Sequence, residues 1–215
     1  MTARLAARLA ADPEFRSWHT LPTPFVEEAC ALSDEAVLDL VSRLWKLHEH
    51  RFLYAAVVIV ERHPSVARRM KWKVLEPLGE QMTSWGDVDM FVCLAGPAWR
   101  SGRLSDARVL RWTQSPNRWW RRAALTCTVY LNRKARGGAG DSARTLAVCE
   151  VLAGDHDDMV AKGLSWALRD LIAHDRRAVE QFLIKHDEHL HALVKREVRC
   201  KLETGRKHPP RKRRS

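Results

Sequence analysis

The sequence has 215 residues, of which 46% are hydrophobic, enough for one compact domain with a sizeable core or for a short array of helical repeats. Its 37 Lys and Arg residues outnumber 26 Asp and Glu residues, for a formal net charge of +11. The longest apolar run, Phe52–Val60, is far shorter than the roughly 20 residues that span a bilayer, so we expect no membrane segment. The first residues lack the apolar core of a signal peptide, which favours a cytoplasmic protein.

The basic excess is unevenly distributed along the chain. Residues 62–122 hold 12 basic and 5 acidic side chains, a net charge of +7. Residues 206–215, with the sequence RKHPPRKRRS, hold 6 basic and no acidic side chains, and we expect them to form a disordered basic tail. Such a tail either tethers the chain to nucleic acid or serves as a solubilising end that attracts any polyanion. We expect residues 1–205 to form a single domain.

Cysteine and histidine give no metal or disulfide signature. The five cysteines are widely spaced and never form a C-x-x-C pair, so we expect buried free thiols. His186, His189 and His191 lie close together, but no recognisable set of ligands surrounds them, and we interpret them as part of a solvated helix surface. We expect neither a metal nor a cofactor.

Helical spacing dominates the chain. The segment DEAVLDLVSRLWKLHEH places apolar residues three and four positions apart, from Val37 to Leu47, with Ser33 as a good N-cap. The segment FLYAAVVIVERH follows without a break, which favours a buried helix over a strand. Further helices are predicted at about 65–76, 84–95, 104–114, 116–133, 142–153, 157–173, 176–186 and 188–203, separated by Pro77-Leu78-Gly79, Ala95-Gly96-Pro97, Ser115-Pro116, Gly137-Gly138-Ala139-Gly140 and Gly154-Asp155.

The order of these elements predicts an all-α fold. Ser115 would cap helix 116–133, with Pro116 at its first position. No βαβ rhythm and no alternating strand pattern is found, which disfavours doubly wound and barrel folds. Helix pairs that recur every 35 to 45 residues are typical of a helical-repeat solenoid, whose concave face suits a long charged ligand.

Three segments place tryptophan beside charge. In SWGDVD, Trp85 and Asp89 are four residues apart and share a helix face, which suits a cationic group, although Trp85 in the core and Asp89 on the surface remain the alternative. In SPNRWWRRAAL, Arg118 and Arg122 share a face and Arg121 lies beside them, an arrangement suited to phosphates. The alternative there is that Trp119 and Ala123 pack inward below solvated arginines.

The third segment is DMVAKGLSWALRD, in which Lys162, Trp166 and Asp170 recur every four residues and Arg169 lies three beyond Trp166. This spacing gives one helix face of mixed aromatic and charged character. A half-buried packing role for Trp166 is the alternative.

Together these segments resemble the DNA alkylation repair family of the AlkD type. The resemblance extends from about Leu44 to about Leu202 and is clearest in WGDVD, SPNRWWRRAAL, KGLSWALRD and LVKREVRCKL. It implies HEAT-like helical repeats and a DNA glycosylase that removes cationic N3- and N7-alkylated purines from duplex DNA. The functional residues that it implies are Trp85, Asp89, Arg122 and Trp166, and we expect Arg118, Arg121, Lys162 and Arg169 to contact DNA.

A mechanism follows from that resemblance. A cationic purine is already a good leaving group, so Asp89 would stabilise the sugar cation and orient a water without a general acid. Trp85 and Trp166 would face the deoxyribose and the lesion, Arg122 would hold the adjacent phosphate, and no deep base-flipping pocket is required. The alternatives are a non-catalytic protein that binds damaged, bent or branched DNA, and a protein scaffold. We expect a monomer with double-stranded alkylated DNA as its partner.

Overall fold

A computed structural model describes residues 1–12, 15 and 21–208. All regular secondary structure among these residues is helical, and no strand occurs among them. Contacts divide the chain into two compact units, Met1–Leu104 and Ser105–Ser215. The first unit contains α1 (Thr2–Ala11), α2 (Thr23–Cys30), α3 (Asp34–Trp45), α4 (His50–Arg62), α5 (Pro64–Arg69), α6 (Trp72–Gly79) and α7 (Trp85–Arg100). The second unit contains α8 (Asp106–Trp112), α9 (Arg118–Cys127), α10 (Val129–Asn132), a 3₁₀ turn (Lys134–Arg136), α11 (Ser142–Val151), α12 (Asp158–Leu171), α13 (Arg176–Lys185) and α14 (Ala192–Thr204).

The core of the first unit lies where α3 and α7 pack against α4. The predicted face of α3 is confirmed from Val37 to Leu44, and the Ser33 hydroxyl accepts a hydrogen bond from the Ala36 amide at 3.3 Å. Trp45 is buried at the end of α3, and its indole donates to the Leu78 carbonyl at 3.0 Å. This bond fastens the end of α3 to the short helix α6, because a buried indole N–H needs an acceptor.

The core of the second unit is centred on α12, which packs against both α9 and α14. Trp112 of α8 and Trp120 of α9 are buried with their ring centroids 5.0 Å apart. The ring planes are tilted by 39°, and this aromatic pair buries a large apolar area in one contact and so fixes α8 against α9. The arrangement leaves α9 and α12, which carry most of the predicted DNA-contacting residues, packed directly on one another.

Several predicted helix boundaries are wrong. The chain does not run unbroken from α3 into α4, since His48 adopts a φ of 54° between them, and Leu47 is exposed rather than on the apolar face. Segment 65–76 forms parts of two helices, α5 and α6. Ala95-Gly96-Pro97 is no separator, because α7 continues to Arg100 and buries Trp99 beyond the proline. That burial outweighs the backbone hydrogen bond that proline cannot donate.

The start of α9 is also displaced from the prediction. Asn117, rather than Ser115, caps this helix, with its side-chain oxygen accepting from the Trp119 amide at 2.9 Å. Pro116 therefore precedes the helix. The predicted helix 116–133 is divided at Thr128 into α9 and α10, and the segment predicted at 188–203 becomes helical only from Ala192.

Cysteine burial matches the prediction in part. Cys93, Cys127 and Cys149 are buried free thiols, whereas Cys30 and Cys200 are only partly covered. Burial raises the pKa of the Cys149 thiol, so this group stays protonated. His186 is not part of a solvated surface, because its ring packs on Phe182 and bonds to Glu150.

None of the helices in the described ranges has the length and apolar character needed to cross a membrane. The basic tail predicted for 206–215 lies, from residue 209 onward, outside the described residues.

Candidate functional site

The first turn of α7 is held by a dense set of hydrogen bonds. The Asp87 carboxylate accepts from the backbone amides of Thr83 and Ser84 at 2.8 and 2.9 Å and from the Thr83 hydroxyl at 2.9 Å. The Ser84 hydroxyl accepts in return from the Asp87 amide at 3.2 Å, which completes a capping box. Asp87 is therefore a structural carboxylate that fixes the start of α7.

That fixed turn carries Trp85 and Asp89. As their spacing of four predicts, both side chains line one cavity of about 580 Å³. Trp85 is 57% exposed, so the alternative that places it in the core is wrong. An indole held in solvent at the rim of a cavity beside a carboxylate is suited to a cationic ligand, because both groups attract positive charge.

Residues from another helix complete this cavity. His50, the first residue of α4, lines it together with Met90. A Cβ at Gly86 would lie 3.4 Å from the His50 ring, so the ring rests against the first turn of α7. No local sequence pattern links His50 to Trp85, because the two residues are distant in the chain and meet only through the packing of α4 on α7.

The arginines at the start of α9 differ in their surroundings. Arg118 pairs with Asp157 at 3.3 Å and lies 4.6 Å from the Trp119 ring centroid, while half its side chain stays exposed. Arg121 pairs with Asp155 at 2.7 Å and donates to the carbonyls of two loop residues that precede the helix. Arg118 thus remains accessible, whereas Arg121 fastens the start of α9 to the loop before α12.

Arg122 is buried between α9 and α12. Its guanidinium donates to the Met159 carbonyl at 3.0 Å, which fixes the side chain against the first turn of α12. The tryptophan that packs inward beside it is Trp120 rather than Trp119, which is only half buried. The alternative of Trp119 and Ala123 facing inward is therefore correct for Ala123 alone.

Trp166 belongs to a three-residue cluster. Its indole Nε1 donates to the Asp170 carboxylate at 3.1 Å, and Asp170 pairs with Arg133 at 3.1 Å. The Arg133 guanidinium lies 5.5 Å from the Trp166 ring centroid. Arg133 follows α10 and was not singled out from the sequence, since its link to Trp166 depends on the packing of α10 on α12.

The remaining cations of α12 also differ. Lys162 is exposed. The Arg169 Nε donates to the Ser165 hydroxyl at 3.1 Å and lies 3.8 Å from Glu197 of α14. Burial lowers the pKa of the Arg169 guanidinium, and the nearby Glu197 and Asp170 carboxylates favour its charged form. Arg169 therefore helps to join α12 to α14.

The acidic N-cap of α12 favours its charged state. Burial on its own would raise the pKa of Asp157, but bonds from the Met159 and Val160 amides and from Arg118 lower it below its ordinary value. A negative charge at this helix end is favourable. Among the described residues, no group of three or more His, Cys, Asp and Glu side chains could hold a metal ion.

The chain is thus an all-α protein with an exposed indole and a carboxylate at one cavity and an arginine-rich helix pair in its second unit. The model of the family described as DNA alkylation repair enzyme matches residues 23–202, and the chain belongs to that family. No curated protein and no solved structure was found to match the chain.

Proposed function

We propose that this protein is a DNA glycosylase of the AlkD type, which excises cationic N3- and N7-alkylated purines from duplex DNA. The observation that supports this most is the exposed Trp85 indole beside Asp89 at one cavity, in a chain of the DNA alkylation repair enzyme family. Alkylation at N3 or N7 gives the purine a positive charge. The base then leaves without a general acid, and the protein must stabilise only the positive charge that develops on the sugar.

Asp89 has the central role in this proposal. As the glycosidic bond breaks, positive charge moves onto the deoxyribose, and a fixed carboxylate stabilises it electrostatically. The same carboxylate orients a water for attack on the anomeric carbon. Trp85 and Trp166 contribute cation–π attraction of about 1–2 kcal/mol per ring, and no deep pocket for the base is needed.

The DNA backbone is held by cations of the second unit. Arg122 is proposed to hold the phosphate beside the lesion, as the resemblance to the AlkD type implies; its side chain is buried and fixed against α12, so only a small part of it is exposed for such a contact. Arg118, Arg121, Lys162 and Arg169 are the proposed further contacts. Arg118 and Lys162 are the strongest of these, because their side chains are the more exposed. We further propose a HEAT-like solenoid with a concave basic face, acting as a monomer.

One experiment tests the proposed function directly. Duplex DNA that contains N7-methylguanine and N3-methyladenine is incubated with the protein, and released bases are identified by mass spectrometry, with uracil-containing duplex in parallel. We expect release of both methylated purines and no release of uracil, because uracil is neutral and leaves poorly without an acid. Salt-sensitive DNA binding without release of any base would instead indicate a non-catalytic DNA-binding protein.

A further inference from the structure

Residues 133–140, here called the basic loop, connect α10 to α11 and fold back tightly on themselves. The Gly138 amide donates to the Arg133 carbonyl at 3.0 Å, and the Gly140 amide donates to the Leu131 carbonyl at 2.9 Å. A Cβ on Gly138 would lie 2.6 Å from the Leu131 backbone, so only glycine fits there. The loop therefore has a defined shape that its glycines make possible.

The base of the basic loop is tied to two helices. The Asn132 side chain donates to Thr145 of α11 at 2.9 Å and accepts from the Asp141 amide at 3.0 Å. The His174 ring, which follows α12, donates to the Asn132 carbonyl and packs directly against Gly140. The Asn132–Thr145 bond is buried and would be costly to leave unmade, and together with the two partly buried bonds it rigidifies the segment.

This rigid loop presents three cations to solvent within four residues. Lys134 is exposed on the 3₁₀ turn, and Arg136 is exposed with its guanidinium 5.6 Å from the Tyr130 ring centroid. Arg133 is exposed as well and pairs with Asp170. Like charges so close together repel one another, so a fold that holds them there favours an anionic partner.

Arg133 connects this cluster to Trp166. Its guanidinium lies 5.5 Å from the Trp166 ring centroid and 3.1 Å from the carboxylate that accepts the indole N–H. A polyanion held by Lys134 and Arg136 would therefore pass beside Trp166. Among polyanions, the DNA backbone presents phosphates at the regular short spacing that neighbouring cations can neutralise.

We propose that the basic loop is a DNA-backbone grip, in which Lys134 and Arg136 each neutralise a phosphate next to the nucleotide that Trp166 faces. This inference depends on the proposed function only in taking DNA as the partner. It adds a contact surface outside α9 and α12. The loop acts in binding rather than in the breaking of the glycosidic bond.

The test is the salt dependence of binding to a short unmodified DNA duplex, measured by fluorescence anisotropy. Each phosphate contact contributes about 0.9 to the slope of log affinity against log salt concentration. The double variant Lys134→Gln with Arg136→Gln should therefore reduce the magnitude of the slope by about two. The matched control, Arg177→Gln with Arg196→Gln, removes two exposed charges from α13 and α14. It should change the slope by less than about 0.5.

Equal slopes for the basic-loop variant and the wild type would overturn the inference, as would an equal loss in the control pair, which would reveal a general effect of net charge. The outcome is separable from that of the proposed function. If the wild type releases alkylated bases but the basic-loop variant has the same salt-dependence slope as the wild type, the inference is wrong and the proposed glycosylase activity is supported. If the basic-loop variant has a reduced slope but the wild type releases no base, the DNA-backbone contact is supported and the proposed glycosylase activity is wrong.

Discussion

The Trp166 indole donates a hydrogen bond to the Asp170 carboxylate at 3.1 Å, one turn further along α12. Asp170 is in turn paired with Arg133, so the carboxylate joins the indole edge to a cation beside the ring. Trp166 is partly buried, and a partly exposed aromatic side chain on a helix would otherwise sample several rotamers. This bond selects one of them and so fixes the direction in which the Trp166 ring face points.

Replacing Asp170 should therefore affect base excision through Trp166. Asp170→Ala removes the acceptor, and we expect the single-turnover excision rate to fall several-fold while DNA affinity changes little. Asp170→Asn keeps an oxygen that accepts the indole N–H but loses the charge that pairs with Arg133, and it should retain most of the rate. Equal losses in the two variants would show that the ion pair, rather than the orientation of the indole, is what matters.

The sequence predicts features that depend on local spacing and fails where distant elements meet. The shared helix face of Trp85 and Asp89, which brings both to one cavity, follows from a spacing of four that any α-helix at this position would produce. His50 reaches this cavity from α4, and Arg133 reaches Trp166 from the loop after α10, so no local pattern indicates either residue.

Helix ends show the same contrast between features that depend on neighbouring residues and features that depend on distant contacts. Ser33 caps α3 as predicted, because a cap depends on the next few residues alone. Pro97 does not end α7, because burial of Trp99 against the rest of the unit outweighs the intrinsic cost of the proline.

Asp89→Asn tests the electrostatic role of this carboxylate. The amide is nearly isosteric but carries no charge, so we expect DNA binding to persist and the single-turnover release of N7-methylguanine to fall by about 100- to 1000-fold. Asp106→Asn is the matched control, since Asp106 is an exposed aspartate in the first turn of α8 and should leave the rate unchanged. An unaltered rate in Asp89→Asn would remove this residue from the mechanism.

Trp85→Ala separates function from stability. Because Trp85 is 57% exposed, its loss should lower the free energy of unfolding by less than about 1 kcal/mol. Loss of cation–π attraction of about 1–2 kcal/mol should slow excision by roughly 5- to 30-fold, and Trp85→Phe should recover part of that loss. By contrast, Trp99→Ala removes a fully buried ring and should cost about 3–5 kcal/mol in urea unfolding. A stability loss in Trp85→Ala as large as that of Trp99→Ala would contradict the exposed placement.

Gly140→Ala tests the rigidity of the basic loop. Gly140 has a φ of 96°, and a Cβ there would lie 2.6 Å from the His174 ring, so alanine introduces both backbone strain and a clash. We expect a loss of about 1–3 kcal/mol in the free energy of unfolding. The control is Gly154→Ala, where a Cβ meets nothing within 4 Å and the change should be close to neutral. Similar values for the two variants would show that the contact with His174 does not constrain the loop.

Acid should weaken the junction between α3 and α5. The Ser65 hydroxyl donates to the Asp34 carboxylate at 2.6 Å and lowers its pKa below the ordinary value of 3.8, with His63 and Arg69 adding attraction. A carboxyl whose pKa is lowered on folding stabilises the fold above its unfolded-state pKa and loses that contribution as pH falls through the folded value. The difference in the free energy of unfolding between wild type and Ser65→Ala should therefore be largest at neutral pH and should decrease below about pH 3.8.

Urea unfolding of both proteins across this pH range measures that difference in the free energy of unfolding. Ser33→Ala provides the control, because the Ser33 hydroxyl accepts from the Ala36 amide and its bond involves no titrating group. The cost of that substitution, about 1 kcal/mol, should be the same at each pH. If the loss in the free energy of unfolding caused by Ser65→Ala stayed constant while Asp34 became protonated, the hydroxyl would be stabilising the fold through a contact other than the carboxylate.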